Sequence, residues 1–227
     1  VTAAPASLGD LTWPEVAGRA ATTVLAVPVG STEQHGPHLP LSTDTTVAQV
    51  LAGRLAAERP DVIVAPALPY GASGEHAGFP GTLSIGTDAL EAVLIELARS
   101  ADCFAGVVFV SAHGGNAEAL GKAVNRLNSE GRPVRAWGPR QATDAHAGHT
   151  ETSVLLAVAP GSVRTARAEA GNRAPLATLM PTLRRDGVAA VSPNGVLGDP
   201  AGATAAAGDA QLQEWAADLI ESLKGWP

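Results

Sequence analysis

Two short runs, 24–29 (VLAVPV) and 106–111 (GVVFVS), are apolar at almost every position. A strand with one wet face alternates apolar and polar residues, so unbroken Val-rich runs of this length demand burial on both faces. Strand-like segments at 62–67 and 134–137 join them; the first of the four begins at Thr23. Helix-like segments at 45–58, 88–101, 117–130, 151–158 and 205–224 alternate with the strands. On 45–58, for instance, Val47, Val50, Leu51 and Leu55 recur at helical spacing. This order predicts an α/β protein with a mostly parallel central sheet and helices on both faces. At 227 residues, a single domain spanning 1–227 with one substantial core is expected. Between 160 and 200 the periodicity weakens and Pro and Gly rise, which predicts loops, an oligomer contact or a lid rather than a second domain.

The end of the first run carries the feature that speaks to function. Segment 28–44, PVGSTEQHGPHLPLSTD, gathers Glu33, His35, His38 and Asp44 into a dozen positions. Carboxylate and imidazole together suit Zn, Fe or Mn better than Ca or Mg. In an extended segment Glu33 and His35 point the same way, because side chains alternate with period two. One stretch can then offer a ligand to each of two adjacent ions, with Asp44 bridging them. The six histidines, His35, His38, His76, His113, His146 and His149, all fall within four motifs: GSTEQHGPH, GASGEH, SAHGGN and HAGHTETS. Ligands in open α/β sheets gather beyond the carboxyl ends of the strands. Two of these motifs follow strand-like runs, so distant motifs are expected to meet at one sheet edge. Glu75 and His76 are expected to line the pocket or orient ligands. His38, between two prolines, is expected to be structural or to support a ligand.

Composition removes other classes. Net charge is −7 and no Lys/Arg cluster stands out, which argues against nucleic acid. No apolar stretch approaches the roughly 18–20 residues of a membrane span, and no signal segment is readable. The lone Cys103 excludes an internal disulfide framework and fits a reducing compartment, so a cytoplasmic location is expected. Cys103 itself is read as a small core hydrophobe, and Trp13, Trp137, Trp215 and Trp226 as core or interface residues. A purely structural metal site needs one closed shell of about four ligands; four polar, glycine-rich motifs point instead to a metal-dependent enzyme, a hydrolase ahead of an isomerase or lyase.

GSTEQHGPHLPLSTD followed by GEHAGFPGTLS, SAHGGN and HAGHTETS, in that order over residues 8–160, resembles the creatininase (creatinine amidohydrolase) family. The resemblance implies a three-layer α/β/α sandwich, two divalent metals (Fe, Zn or Mn), hydrolysis of C–N bonds in a peptide or small amide, and a homo-oligomer. It implies Glu33 and His113 on one metal, His35 on the other, and Asp44 between them. The family's founding pattern has His-x-Glu-Asn, and its Glu is a ligand of the second metal. Here the run is His113-Gly114-Gly115-Asn116, so Glu151 is the replacement carboxylate, with His149 competing for the role. His146 matches the family's proton-shuttling histidine. The acidic residue before that histidine is replaced by Ala145, which puts creatinine itself in doubt as substrate. Over most of its length the chain is most similar to a branch that removes a C-terminal Val-Tyr dipeptide from a modified precursor peptide during redox-cofactor biosynthesis. Members acting on a small formamide or cyclic amide are the alternative. For a peptide, Arg135, Arg140 and Arg173 are candidate partners of the terminal carboxylate.

Overall fold

The computed structural model describes residues 7–139 and 144–227. Its strands are β1 (Val24–Val29), β2 (Val62–Val64), β3 (Gly106–Ser111) and β4 (Val134–Trp137). They form a parallel sheet in the order β2-β1-β3-β4. The helices are α1 (Trp13–Ala17), α2 (Thr43–Glu58), α3 (Thr87–Ser100), α4 (Ala117–Ser129), α5 (His149–Val158), α6 (Leu176–Asp186) and α7 (Ala205–Ser222).

The two apolar runs are the central strands, and every residue of both is buried. Their side chains divide by parity. Val24, Ala26, Val108 and Val110 pack with Leu51 and Leu55 of α2, Leu155 of α5 and Leu212 and Leu219 of α7. Leu25, Val27, Val107 and Phe109 pack with Leu90 and Leu94 of α3 and Leu127 of α4. The result is the expected three-layer α/β/α sandwich. Burying one Leu or Phe side chain stabilises by about 1.5–3 kcal/mol, so each face is a substantial contribution.

Chain order reverses between β1 and β3. The path from β1 passes through α2 to one edge of the sheet, and the path from β3 through α4 to the other. The carboxyl ends of β1 and β3 therefore flank a topological switch point, where a crevice opens.

Several local expectations need correction. The strand expected over 62–67 stops at Val64: Ala65 N–H still donates to the Ala26 carbonyl, but the next β1 residue facing it is Pro28, which has no N–H to return; pairing resumes only as a single bridge between Val29 and Leu68. Within 160–200 the chain forms α6, whose Pro181 and flanking Pro175 and Gly187 hide its period. Leu179 and Leu183 of α6 join Val188, Leu197 and Phe79 in a small separate core. Cys103 is exposed rather than buried: in the turn between α3 and β3, Ala101 and Phe104 take the inward positions. Trp137 and Trp215 are core residues, whereas Trp13 is 81% exposed. Among the described residues no helix is long and apolar enough to cross a membrane.

Candidate metal centre

The loop after β1 turns Glu33 and His35 into the crevice. Helix α2 begins at Thr43, two residues earlier than the pattern suggests, which puts Asp44 in its first turn, where the helix dipole favours a carboxylate. His113 follows β3, and Glu151 lies in the first turn of α5. Asp44 sits between the two histidines: its Oδ1 is 3.3 Å from His35 Nε2 and its Oδ2 is 3.4 Å from His113 Nδ1. Glu33 Oε1 is 3.2 Å from His113 Nδ1, and Glu151 Oε2 is 3.8 Å from His35 Nε2. Two groups of donors thus share Asp44: Glu33 with His113, and His35 with Glu151.

Hydrogen bonds on the far side of each ring set which nitrogen faces the crevice. His35 Nδ1 lies 3.1 Å from the Glu33 carbonyl oxygen, so its neutral form keeps Nε2 bare toward Asp44. His113 Nε2 lies 3.0 Å from the Ala72 carbonyl oxygen, so its neutral form likewise leaves Nδ1 bare. A backbone carbonyl behind a ligand histidine fixes tautomer and orientation together. Asp44 Oδ2 accepts from Ser31 Oγ at 2.6 Å. Glu151 Oε2 accepts the Ala147 N–H at 2.6 Å. Ala147 pays for that position with a left-handed backbone, φ +52°.

The charges argue for cations. Burial opposes a charge on His35, yet Asp44, Glu151 and Glu33 outweigh it and raise its pKa to about 10. His113 likewise is raised to about 10 against burial, by Glu33 and Asp44. Burial and Asp44 favour neutral Glu33, but His113 holds it at about 2. Asp44 is buried, and His35 above all, with His113 and Ser31, keeps it well below the usual carboxylate range. Burial pushes Glu151 up to about 7. Protons on His35 and His113 stand where cations would. Both Glu33 oxygens and His35 Nε2 are buried without a hydrogen-bond partner; buried polar atoms are otherwise almost always satisfied. The donor set therefore fits divalent ions.

Where the His-x-Glu-Asn pattern has its Glu, this chain has Gly115 in a crowded place. A Cβ on Gly115 would lie 2.3 Å from His113 Nε2, 2.4 Å from the Ala72 carbonyl oxygen and 2.7 Å from Glu75 Oε1. Glu151 supplies a carboxylate beside His35 from another element. His149 opens the same helix but joins none of the donor groups among the described residues.

His146 is paired with Leu197 across an isolated bridge, which holds its Nδ1 3.8 Å from Glu33 Oε1. His76 Nε2 is 3.5 Å from the same oxygen. Burial pushes His76 down to about 4 and His146 to about 3, so both are neutral. Glu75 Oε1 is 3.8 Å from His113 Nε2, and His38 is buried with Nε2 2.8 Å from Thr152 Oγ1. Arg135 donates to the Ser222 carbonyl and lies over the Trp226 ring. Arg173 pairs with Asp199 at the surface. Arg140 lies outside the described residues.

Sequence reasoning passed over two residues that assemble the site. Asn116 accepts from Ala72 N–H and donates to the Gly30 carbonyl, stitching three motif loops together. Gln34 touches both His76 and His146. Their only signal was a position inside a motif.

A family model described as creatininase, creatinine amidohydrolase, matches residues 9–223. The mycofactocin precursor peptide peptidase of Mycolicibacterium smegmatis is 51% identical over 231 residues, covering 98% of this chain and 92% of that protein. A crystal structure of creatinine amidohydrolase superposes with TM-score 0.81 at 25% identity, covering 97% of each chain. A mutant creatininase of Zn-Zn type superposes with TM-score 0.79, also at 25% identity and 96% of each chain.

Proposed function

This chain belongs to the creatininase family, and on that premise we propose that it is a dinuclear metal-dependent peptidase acting on the mycofactocin precursor peptide, from which the branch it resembles removes a C-terminal Val-Tyr dipeptide. Half-identity with a mycofactocin precursor peptide peptidase across nearly the whole chain supports the substrate. One observation carries the chemistry: Asp44 offers one oxygen toward His35 and the other toward His113.

Glu33, His113 and Asp44 would hold one ion, and His35, Asp44 and Glu151 the other, the ions being Fe, Zn or Mn. Bound there, two such ions would supply Lewis acidity, enough to bring the pKa of water to about 7 and to polarise the scissile carbonyl. The protein's residues do the rest. The carbonyls behind His35 and His113 would hold each ring so that the facing nitrogen is the one left bare once its proton gives way to an ion. His146 turns Nδ1 toward Glu33; from there it takes the proton of the attacking water and returns it to the leaving amine as the C–N bond breaks. The covering segment that carries Leu197 fixes His146 from behind.

The test is mass-spectrometric. The decarboxylated, modified precursor peptide is incubated with metal-loaded protein, with a chelated sample and Glu33→Ala alongside. Release of Val-Tyr only by the metal-loaded wild type supports peptidase and metal chemistry together. No release, with two metals bound, would sink the substrate reading and leave formamide and cyclic-amide hydrolysis.

A further inference from the structure

We infer that Gln34 and His76 are positioning residues: Gln34 locks His76 as a neutral Nε2–H donor turned toward Glu33, which removes His76 from the metal ligands. On proximity alone His76 competes for that role, since Glu33, His76 and His146 offer donor atoms within 4.8 Å of one another. The hydrogen bonds decide against it.

The buried Gln34 amide cannot turn over. Its Oε1 accepts the Gly36 N–H at 2.8 Å, and its Nε2 donates to the Gly195 carbonyl at 3.0 Å. Exchanging O and N would set donor against donor at one end and acceptor against acceptor at the other. Gly195, at φ +78°, packs so closely that a Cβ there would lie 1.9 Å from Oε1.

The amide NH2 has two protons, and one goes to Gly195. Nε2 also lies 2.9 Å from His76 Nδ1 and 3.1 Å from His146 Nε2. His146 Nε2 is 2.8 Å from the Gln34 carbonyl oxygen, which can only accept. That nitrogen therefore carries a proton and cannot receive the amide's. The second amide proton goes to His76 Nδ1, so neutral His76 carries its own proton on Nε2, 3.5 Å from Glu33 Oε1. One residue thus sets two histidines in opposite senses: His146 presents a bare nitrogen to the crevice and His76 an N–H. A protonated ring nitrogen has no lone pair for a metal. What it presents is an N–H facing the Glu33 carboxylate at 3.5 Å, a polar contact and not a ligand bond.

The tautomers are read directly from long-range proton–nitrogen correlation spectra of the isotope-labelled, zinc-loaded protein, with His76→Gln as the assignment control. His76 is expected as the Nε2–H form in the presence and absence of zinc. Gln34→Glu, whose carboxylate can only accept, is expected to move the His76 proton to Nδ1. A bare His76 Nε2 that shifts on zinc loading would overturn the inference. The kinetic arm rests on the proposed peptidase reading. Gln34→Glu should lower kcat about 10- to 100-fold with KM and zinc content little changed; an unchanged kcat counts against the positioning role. His76→Gln, with an amide nitrogen near the ε position, should recover most of the activity lost in His76→Leu, and equal loss in both also counts against it. These two variants and the wild-type spectra decide the matter if Gln34→Glu does not fold. Failure of the wild type to cleave the peptide would strike the substrate reading alone, because the spectra need no turnover.

Discussion

At the scale of single residues, the site turns on which carboxylate stands beside His35. Glu151 reaches within 3.8 Å of it and is held by the Ala147 N–H, while His149 joins no donor group among the described residues. Glu151→Gln is therefore expected to lose about one metal equivalent and at least about 100-fold in kcat. His149→Gln should bind two and keep most of its activity. Metal content by elemental analysis, beside peptide turnover, checks both; equal loss in the two would restore His149 as the ligand. Asp44→Asn removes the shared carboxylate, and the expected outcome is loss of both metals' tight binding with the fold intact by circular dichroism. The motif itself announced Glu33, His35 and Asp44, because alternation along an extended chain is a local property. Gln34 lay in plain view between two of them and went unread: its role depends on Gly195, His76 and His146, which only the fold brings near.

Elements place those residues by close backbone approach. Gly208 of α7 packs on α5 so tightly that a Cβ would lie 2.0 Å from the Ser153 carbonyl oxygen. Gly208→Ala should cost about 1–3 kcal/mol by overpacking. It should also depress kcat by moving α5 and with it Glu151. Denaturant melts and turnover test this; unchanged stability would mean that the α5–α7 contact yields freely. The central strands and most helices were legible because burial on two faces and amphipathic period are written locally. Helix α6 was not, since Pro175, Pro181 and Gly187 break the pattern. Packing of Leu179 and Leu183 against Val188 and Leu197 supplies what local preference lacks. The same holds for Cys103, whose apolar neighbours suggested burial while the turn before β3 points it outward.

For the whole molecule, the charge cage links stability to pH and to metal. His35 and His113 are raised from 6.5 to about 10, so in metal-free protein their contribution is full below pH 6.5 and is lost as pH rises toward 10. His76 and His146 are lowered from 6.5 to about 4 and about 3, so the unfolded chain takes up protons first and stability falls as pH drops below 6.5. Metal-free protein should thus melt highest near pH 6.5. On the proposed reading metal would replace the protons on His35 and His113, so loaded protein should hold its Tm into the alkaline range. Calorimetry of both forms across pH checks this; parallel alkaline decline would show that the cage does not bind cations in their place. By itself the sequence determined the layered α/β architecture and most of the candidate ligands, because strand burial, helical period and motif chemistry are carried by neighbouring residues. Only the tertiary structure shows that Glu151, and not His149, lies beside His35, that the Gly115 backbone packs against His113 and Glu75, and that Gln34 touches two histidines. Each of those depends on atoms far apart in the chain being brought within hydrogen-bonding distance or closer.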